Sequence, residues 1–195
     1  MNPNEIPPTH SVWFRTSIND GDGVLIKKSP WKPSRSFLIA YLELIYTNLA
    51  NQSKNIEDIT NTSRTVSRHQ YNLHIEGGAS NDALGIVVGT GTTATTDQDY
   101  SLETKIAHGT GAGELEYGAQ TIGDPSESGG NVDMVLTRIF TNGSGDSITV
   151  NECGCYCYGN LTPYTFCILR DIISPGEAVA DTEALTCEYT LRTMV

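Results

Sequence analysis

Alternation of apolar and polar residues is clearest near the C-terminal end of the chain. Over Ala184–Arg192, Leu185, Cys187, Tyr189 and Leu191 fall on one face of an extended strand, and Thr186, Glu188, Thr190 and Arg192 fall on the other. Further strands are read at Ile56–Thr60, Thr65–Ile75, Leu84–Gly89, Tyr100–Ala107, Glu114–Ile122, Val132–Thr141, Ser147–Tyr158 and Tyr164–Ile173. Turn chemistry separates them: Glu76–Asp82, Gly123–Asn131, Asn142–Asp146, Gly159–Pro163 and Ser174–Glu177 are rich in Gly, Asn, Asp, Ser and Pro. Many short strands at this spacing predict a sandwich or jelly roll. One segment breaks the rhythm. In Arg35–Ala50, Phe37, Tyr41, Leu44 and Asn48 share a helical line, with Leu38, Leu42, Ile45 and Leu49 beside it. The wide apolar arc predicts a largely buried helix, capped by Ser34 or Ser36 after Pro33. A pair of strands is the alternative there.

Residues 1–34 have a different character. They hold five of the eight prolines, Pro3, Pro7, Pro8, Pro30 and Pro33, which keep backbone extended and short of donors. They also hold both tryptophans of the chain. A solvated tail rarely exposes so much apolar surface, so this segment is expected to lie against its own body or a neighbouring subunit. Trp13, Phe14, Val24, Ile26 and Trp31 are the candidate assembly-interface residues. The expected organisation is an extended N-terminal arm (1–34), a helix packing on the body (35–54) and a β-sandwich domain (55–195). The fold class is mainly β, with a β-sandwich or jelly-roll-like body, the arm and one helix.

Within the sandwich, Leu84-Gly-Ile-Val-Val-Gly-Thr-Gly-Thr-Thr-Ala94 has the outline of a dinucleotide fingerprint, an apolar strand followed by Gly89-x-Gly91-x-x-Ala94. That chemistry needs a helix directly after the glycines, whose N-terminal N–H groups hold a pyrophosphate. Here the glycines lead into Thr92-Thr-Ala-Thr-Thr-Asp-Gln-Asp-Tyr100, which has no helical apolar stripe. Gly109-Thr-Gly-Ala-Gly113 leads into another strand-like run and fails the same test. Both clusters read as turns and bulges with close backbone packing. No cofactor is expected.

Charge narrows the partners. Residues 1–75 carry eight Lys/Arg and six Asp/Glu, whereas residues 76–195 carry four and seventeen. An acidic body is a poor match for phosphate backbones, so no nucleic-acid partner is expected. An acidic surface also confers solubility without any partner. The N-terminal Met1–Pro8 lacks a basic stretch followed by an apolar one, so no secretory leader is expected. Phe37–Leu49 is too short and too polar to span a bilayer, so no membrane partner is expected.

Candidate chemistry is sparse. Cys153, Cys155 and Cys157 alternate on one strand, and with Cys167 and Cys187 they make five, an odd number for a disulfide framework. Same-face strand neighbours stand about 6.5–7 Å apart along the chain, whereas tetrahedral zinc favours a turn between ligands. Small apolar core filler is the expected role. His10, His69, His74 and His108 match no zinc spacing. Asp20-Gly-Asp-Gly23 lacks the later ligands of a calcium loop and reads as a tight turn. No catalytic or metal residues are assigned, and the protein is not expected to be an enzyme.

Several ordered blocks resemble uncharacterised virion proteins of tailed bacteriophages. They are Ser36-Phe-Leu with Leu44-Ile-Tyr, Gly85–Ala94, Asp99–Glu103, His108–Tyr117, Thr137–Glu152, Leu169-Arg-Asp171, Gly176-Glu177 and Thr186–Leu191. The resemblance covers residues 35–195. Around Gly154 this chain has Cys153 and Cys155 where that family leads one to expect an apolar pair. The resemblance implies a structural virion protein assembled in the host cytoplasm, either capsid decoration or a head or neck accessory. Its partners would be major capsid, connector or tail proteins, or further copies in a homo-oligomer. It supplies no catalytic residues. A receptor- or glycan-binding tail module is the alternative, with Tyr100, Tyr117, Tyr156, Tyr158 and Tyr164 as possible stacking surfaces.

Overall fold

The alternating C-terminal segment forms the middle of the larger sheet. The computed structural model describes residues 10–34, 36–160 and 164–194. In chain order the elements are β1 (His10–Asn19), β2 (Leu25–Lys28), β3 (Lys32–Ser34), α1 (Ile39–Ala50), β4 (Lys54–Glu57), β5 (Ser63–Val66), β6 (Gly85–Gly89), β7 (Glu116–Tyr117), β8 (Thr121–Ile122), β9 (Ser126–Ser128), β10 (Asn131–Thr141), β11 (Ile148–Gly159), β12 (Tyr164–Val179) and β13 (Ala184–Met194). β13 pairs antiparallel with β1 on one side and β10 on the other, so Tyr189 lies opposite both Phe14 and Leu136. β2 and β3 flank β1, while β7, β8 and β9 flank β10. A second sheet runs β12–β11–β6, and β4 and β5 make a separate hairpin. The protein is thus mainly β, with one helix and several sheets.

The two large sheets meet face to face. The Tyr189 hydroxyl donates to the Cys153 carbonyl of β11 across 3.2 Å, and Arg138 of β10 donates to the carbonyls of Leu84 and Ile86 beside β6. Leu136, Phe140, Leu185 and Cys187 from one sheet and Ile86, Val88, Cys153 and Cys155 from the other are fully buried. β11 is covered on both faces, since every residue from Glu152 to Cys157 is buried. That explains its departure from strict alternation. Its cysteines are core filler, as the sequence indicates. Burial pushes the Cys155 thiol up to about 12 and carries Cys153, Cys157 and Cys167 well above the usual thiol range. Such groups stay protonated and behave as small apolar side chains.

Residues 10–34 are extended, as their prolines require, but they do not form an arm. β1 is an interior strand, joined to β13 from His10–Thr193 to Asn19–Ala184. Val12, Phe14 and Ile18 lie in the core while Ser11 and Arg15 point away from it. That alternation was present in the sequence beneath the proline signal. Pro33 sits on β3 opposite Trp13, at the sheet margin where a missing N–H costs little. Residues 1–9 of the expected arm lie outside the described residues.

Helix α1 begins four residues later than the apolar pattern implies. Phe37 bridges Leu169, and the Leu38 N–H donates to the Ile168 carbonyl, so residues 36–38 are held as an addition to β12. Neither serine caps the helix: Ser34 Oγ bonds Asp171, and Leu38 occupies the N-cap without a side-chain bond. The helix is also less buried than expected. Ala40, Leu44 and Thr47 face inward, whereas Ile39, Leu42, Tyr46 and Leu49 are exposed.

Several strand and turn expectations change: Glu114–Ile122 divides into β7 and β8, and the expected turn at Gly123–Asn131 carries β9, paired with β10. Ser174–Glu177 is not a turn between strands; β12 continues to Val179. Its pairing with β11 shifts between Ile172 and Glu177, leaving Pro175 in a bulge. Thr65–Ile75 is a strand only to Val66. Beyond it the Asn72 side chain donates to Thr47, Asn48 and the Ser67 carbonyl, a side-chain alternative to a ladder. Tyr100–Ala107 is not a strand; an isolated bridge from Lys105 to Gly89 pairs it with β6. The expected turn at Gly159–Pro163 lies partly outside the described residues.

Candidate functional site

The glycine motif is closed by the protein's own carboxylates. Glu152, fully buried on β11, accepts the N–H groups of Gly91, Glu103 and Thr104 at 3.1, 3.1 and 2.8 Å. Glu103 accepts those of Thr92 and Thr93, both at 2.8 Å. A Cβ at Gly89 or Gly91 would stand 2.5 Å from Glu152 Oε1, so the glycines are where backbone and carboxylate must meet. The loop has the donors of an anion nest, and its anion is internal.

Arg170 balances that charge. Only 3% exposed, it donates to Glu152 at 2.9 Å and to Asp99 at 2.5 Å, and its remaining nitrogen bonds the Thr93 carbonyl. Burial alone would lower its pKa, but Asp99 and Glu152 raise it above the ordinary value. Burial pushes the Asp99 carboxyl up, and its bonds to Thr96 and Arg170 more than offset this, leaving it below the usual range. The Thr93 backbone and hydroxyl lower Glu103. A shallow cavity of about 330 Å³ lies over this cluster.

A second buried charge was missed by sequence reasoning. Arg138 is 0% exposed. Its five N–H groups go to five backbone carbonyls, those of Gly118, Leu84, Ile86, Gly78 and Asn81, at 2.6–2.9 Å. The rings of Tyr117 and Phe140 lie 4.9 and 5.9 Å from its guanidinium carbon. Burial lowers its pKa, against the opposing pull of Tyr117 and Asp82. The signal available was register: Arg138 alternates in phase with Leu136 and Phe140, which places a cation on the core face. Every fully buried side-chain nitrogen and oxygen among the described residues has a hydrogen-bond partner. These internal charges are therefore committed to holding loops.

The five predicted interface residues separate into three places. Phe14 is in the core, with its ring 4.9 Å from that of Tyr189, so it contacts no partner. Val24 and Ile26 are exposed at and beside the tip of the β1–β2 hairpin, next to exposed Leu25. Trp13 and Trp31 come together with Asp133, Val135, Thr190 and Arg192 around a depression of about 270 Å³ on the outer face of the larger sheet. The exposed face of α1 was not foreseen, because a wide apolar arc was read as a wide buried one.

Other singled-out residues have local roles. Tyr117 and Tyr156 are buried and offer no stacking surface; their hydroxyls contact the Ile106 carbonyl and the Leu102 N–H. His108 Nδ1 accepts the Tyr117 N–H, and His74 stacks on Tyr158. Asp20 Oδ1 accepts the N–H groups of Asp22 and Val24, making the tight turn that Asp20-Gly-Asp-Gly23 suggested. No helix among the described residues is long and apolar enough to cross a membrane. No protein-family model, curated protein or solved structure matches the chain.

Proposed function

We propose that this protein is a structural subunit of a tailed-bacteriophage virion, in capsid decoration or as a head or neck accessory. It works through contacts with neighbouring subunits and not by catalysis. The observation that carries this reading is the outer face of α1. Ile39, Leu42, Tyr46 and Leu49 recur at spacings of three, four and three, and Leu42 and Leu49 are 65% and 83% exposed. That spacing matches the a/d positions along which helices pack together. An apolar strip left in water favours association.

Two further observations support it. All four cations of residues 76–195 are engaged internally: Lys105 with Asp82, Arg170 with Asp99 and Glu152, Arg192 with Asp133, and Arg138 with carbonyls. That half of the protein offers protein partners an acidic surface. The ordered blocks over residues 35–195 supply the virion assignment.

The test is the double substitution Leu42→Glu/Leu49→Glu, introduced into the genome that carries the gene. The variant should fold with an unchanged unfolding transition, and its copy number in purified particles should fall at least tenfold. Normal incorporation of the folded variant would overturn the proposal.

A further inference from the structure

Both tryptophans of the chain share one depression, and its charged groups are already paired with each other. Trp13 projects from β1, opposite Thr190 of β13 and Pro33 of β3. Trp31 is 37% exposed, and its ring lies 4.1 Å from the guanidinium carbon of Arg15. Glu188 holds that guanidinium from Arg15 Nε and Nη2. Across the depression, Arg192 makes a two-point pair with Asp133 at 2.7 and 2.6 Å. Trp31 is thus fixed by a cation that is itself fixed, and the charges on either side cancel.

Thr190 adds an open hydroxyl. The residue is 5% exposed, and its side chain makes no hydrogen bond among the described residues. Because no fully buried side-chain oxygen there is unsatisfied, this hydroxyl must reach the space of the depression. Arg192 Nη1 also has no hydrogen-bond partner among the described residues, since Nε and Nη2 make the contacts to Asp133. The site therefore combines aromatic walls with a rigid donor–acceptor pair and a free hydroxyl, in about 270 Å³.

We propose that this depression binds a neutral sugar ring, a hexopyranose at the end of or within a glycan. Such a ring has an apolar C–H face that stacks on indole and an equatorial rim of hydroxyls that both donate and accept. A guanidinium–carboxylate pair can bond two neighbouring hydroxyls, and Thr190 can bond a third. Paired charges give a free ion no net attraction. The depression lies on a sheet face, with no row of unpaired backbone groups such as an added peptide strand requires. Its volume is below that of a drug-sized site, which suits one ring better than a folded partner. The proposal does not rest on the assembly reading: a subunit could fail to assemble through α1 and still bind sugar here.

Because the chain has two tryptophans, both at the site, intrinsic fluorescence reads it directly. The full-length protein is titrated with methyl glycosides of glucose, galactose, mannose, N-acetylglucosamine and N-acetylgalactosamine, with sialic acid as the charged comparison, and is applied to a glycan array. At least one neutral glycoside should shift the emission saturably. Trp31→Ala should weaken binding at least tenfold, and Thr190→Val, which removes only the hydroxyl, several-fold. Trp31 is outside the core, so its variant should keep the wild-type unfolding transition. No response to any neutral glycoside, a response to sialic acid alone, or binding that survives both substitutions would overturn the proposal.

Discussion

Arg138 and Arg170 are both sealed from water, at 0% and 3% exposure, yet they are surrounded by opposite chemistry. Arg138 meets five backbone carbonyls and no carboxylate, whereas Arg170 meets Glu152, Asp99 and, at 3.7 Å, Glu103. The difference follows from the loops they serve. Residues 78–86 turn their carbonyls inward, and a cation satisfies them. Residues 91–104 turn their N–H groups inward, and the anion Glu152 satisfies those. A buried anion then needs a cation of its own, which is Arg170. Irregular backbone inside a sandwich is held by whichever charge its exposed groups demand.

The largest expected effect tests the Arg138 side. Arg138→Met strips five buried carbonyls of their donor, each costing about 1–3 kcal/mol when left unpaired, and should cost at least about 5 kcal/mol in chemical denaturation. Arg138→Lys should not rescue it, because three donors cannot replace a planar fork of five. Arg170→Met leaves the buried Glu152 charge without its cation and should cost less, about 3–5 kcal/mol. Glu152 keeps three backbone donors there, and the Asp99 and Glu103 side chains are 20% and 41% exposed and can turn to water. Equal losses at the two sites would mean that the opposite surroundings of the two arginines make no difference to stability.

Glycine substitutions give a smaller contrast. Gly91→Ala places a Cβ 2.5 Å from Glu152 Oε1 and should cost about 1–3 kcal/mol, as overpacking does. Gly78, whose carbonyl serves Arg138, has open space around its would-be Cβ, so Gly78→Ala should change stability by less than about 0.5 kcal/mol. Differential scanning fluorimetry on both variants would check this.

Acid gives the finest discrimination. Asp99 and Glu103 titrate below their ordinary values in the folded protein. Their contribution is therefore complete above the unfolded pKa, near 4, and is lost as pH falls through the lower folded values. Arg138 has no carboxylate partner to protonate. Below about pH 4, amides of residues 91–104 should lose hydrogen-exchange protection while those of residues 84–88 keep theirs. Simultaneous loss would mean that the two loops are not independently held.

The long strands were legible because β10, β11 and β13 each bury a face and alternate or run apolar accordingly. β1 is harder to read because five prolines in the first thirty-four residues signal unpaired backbone, while the in-phase Val12, Phe14 and Ile18 mark a buried strand. Short pieces such as β7 and β8 were blurred into one strand, since two residues carry no period. For the glycine motif, the missing helix was visible in the Thr-rich sequence that follows. That its anion is Glu152 was not, because the partner lies sixty-one residues on. Neither could a sequence bring Trp13, Trp31 and Arg192 to one depression, which depends on three strands meeting.

The proposed virion role is tested most directly by cryo-electron reconstruction of phage particles from the strain that expresses this protein. Density for this chain is expected at a symmetric position in the shell or neck, with Ile39, Leu42, Tyr46 and Leu49 covered by a neighbouring subunit. A particle that lacks the chain, or holds it with that face of α1 bare, would contradict it.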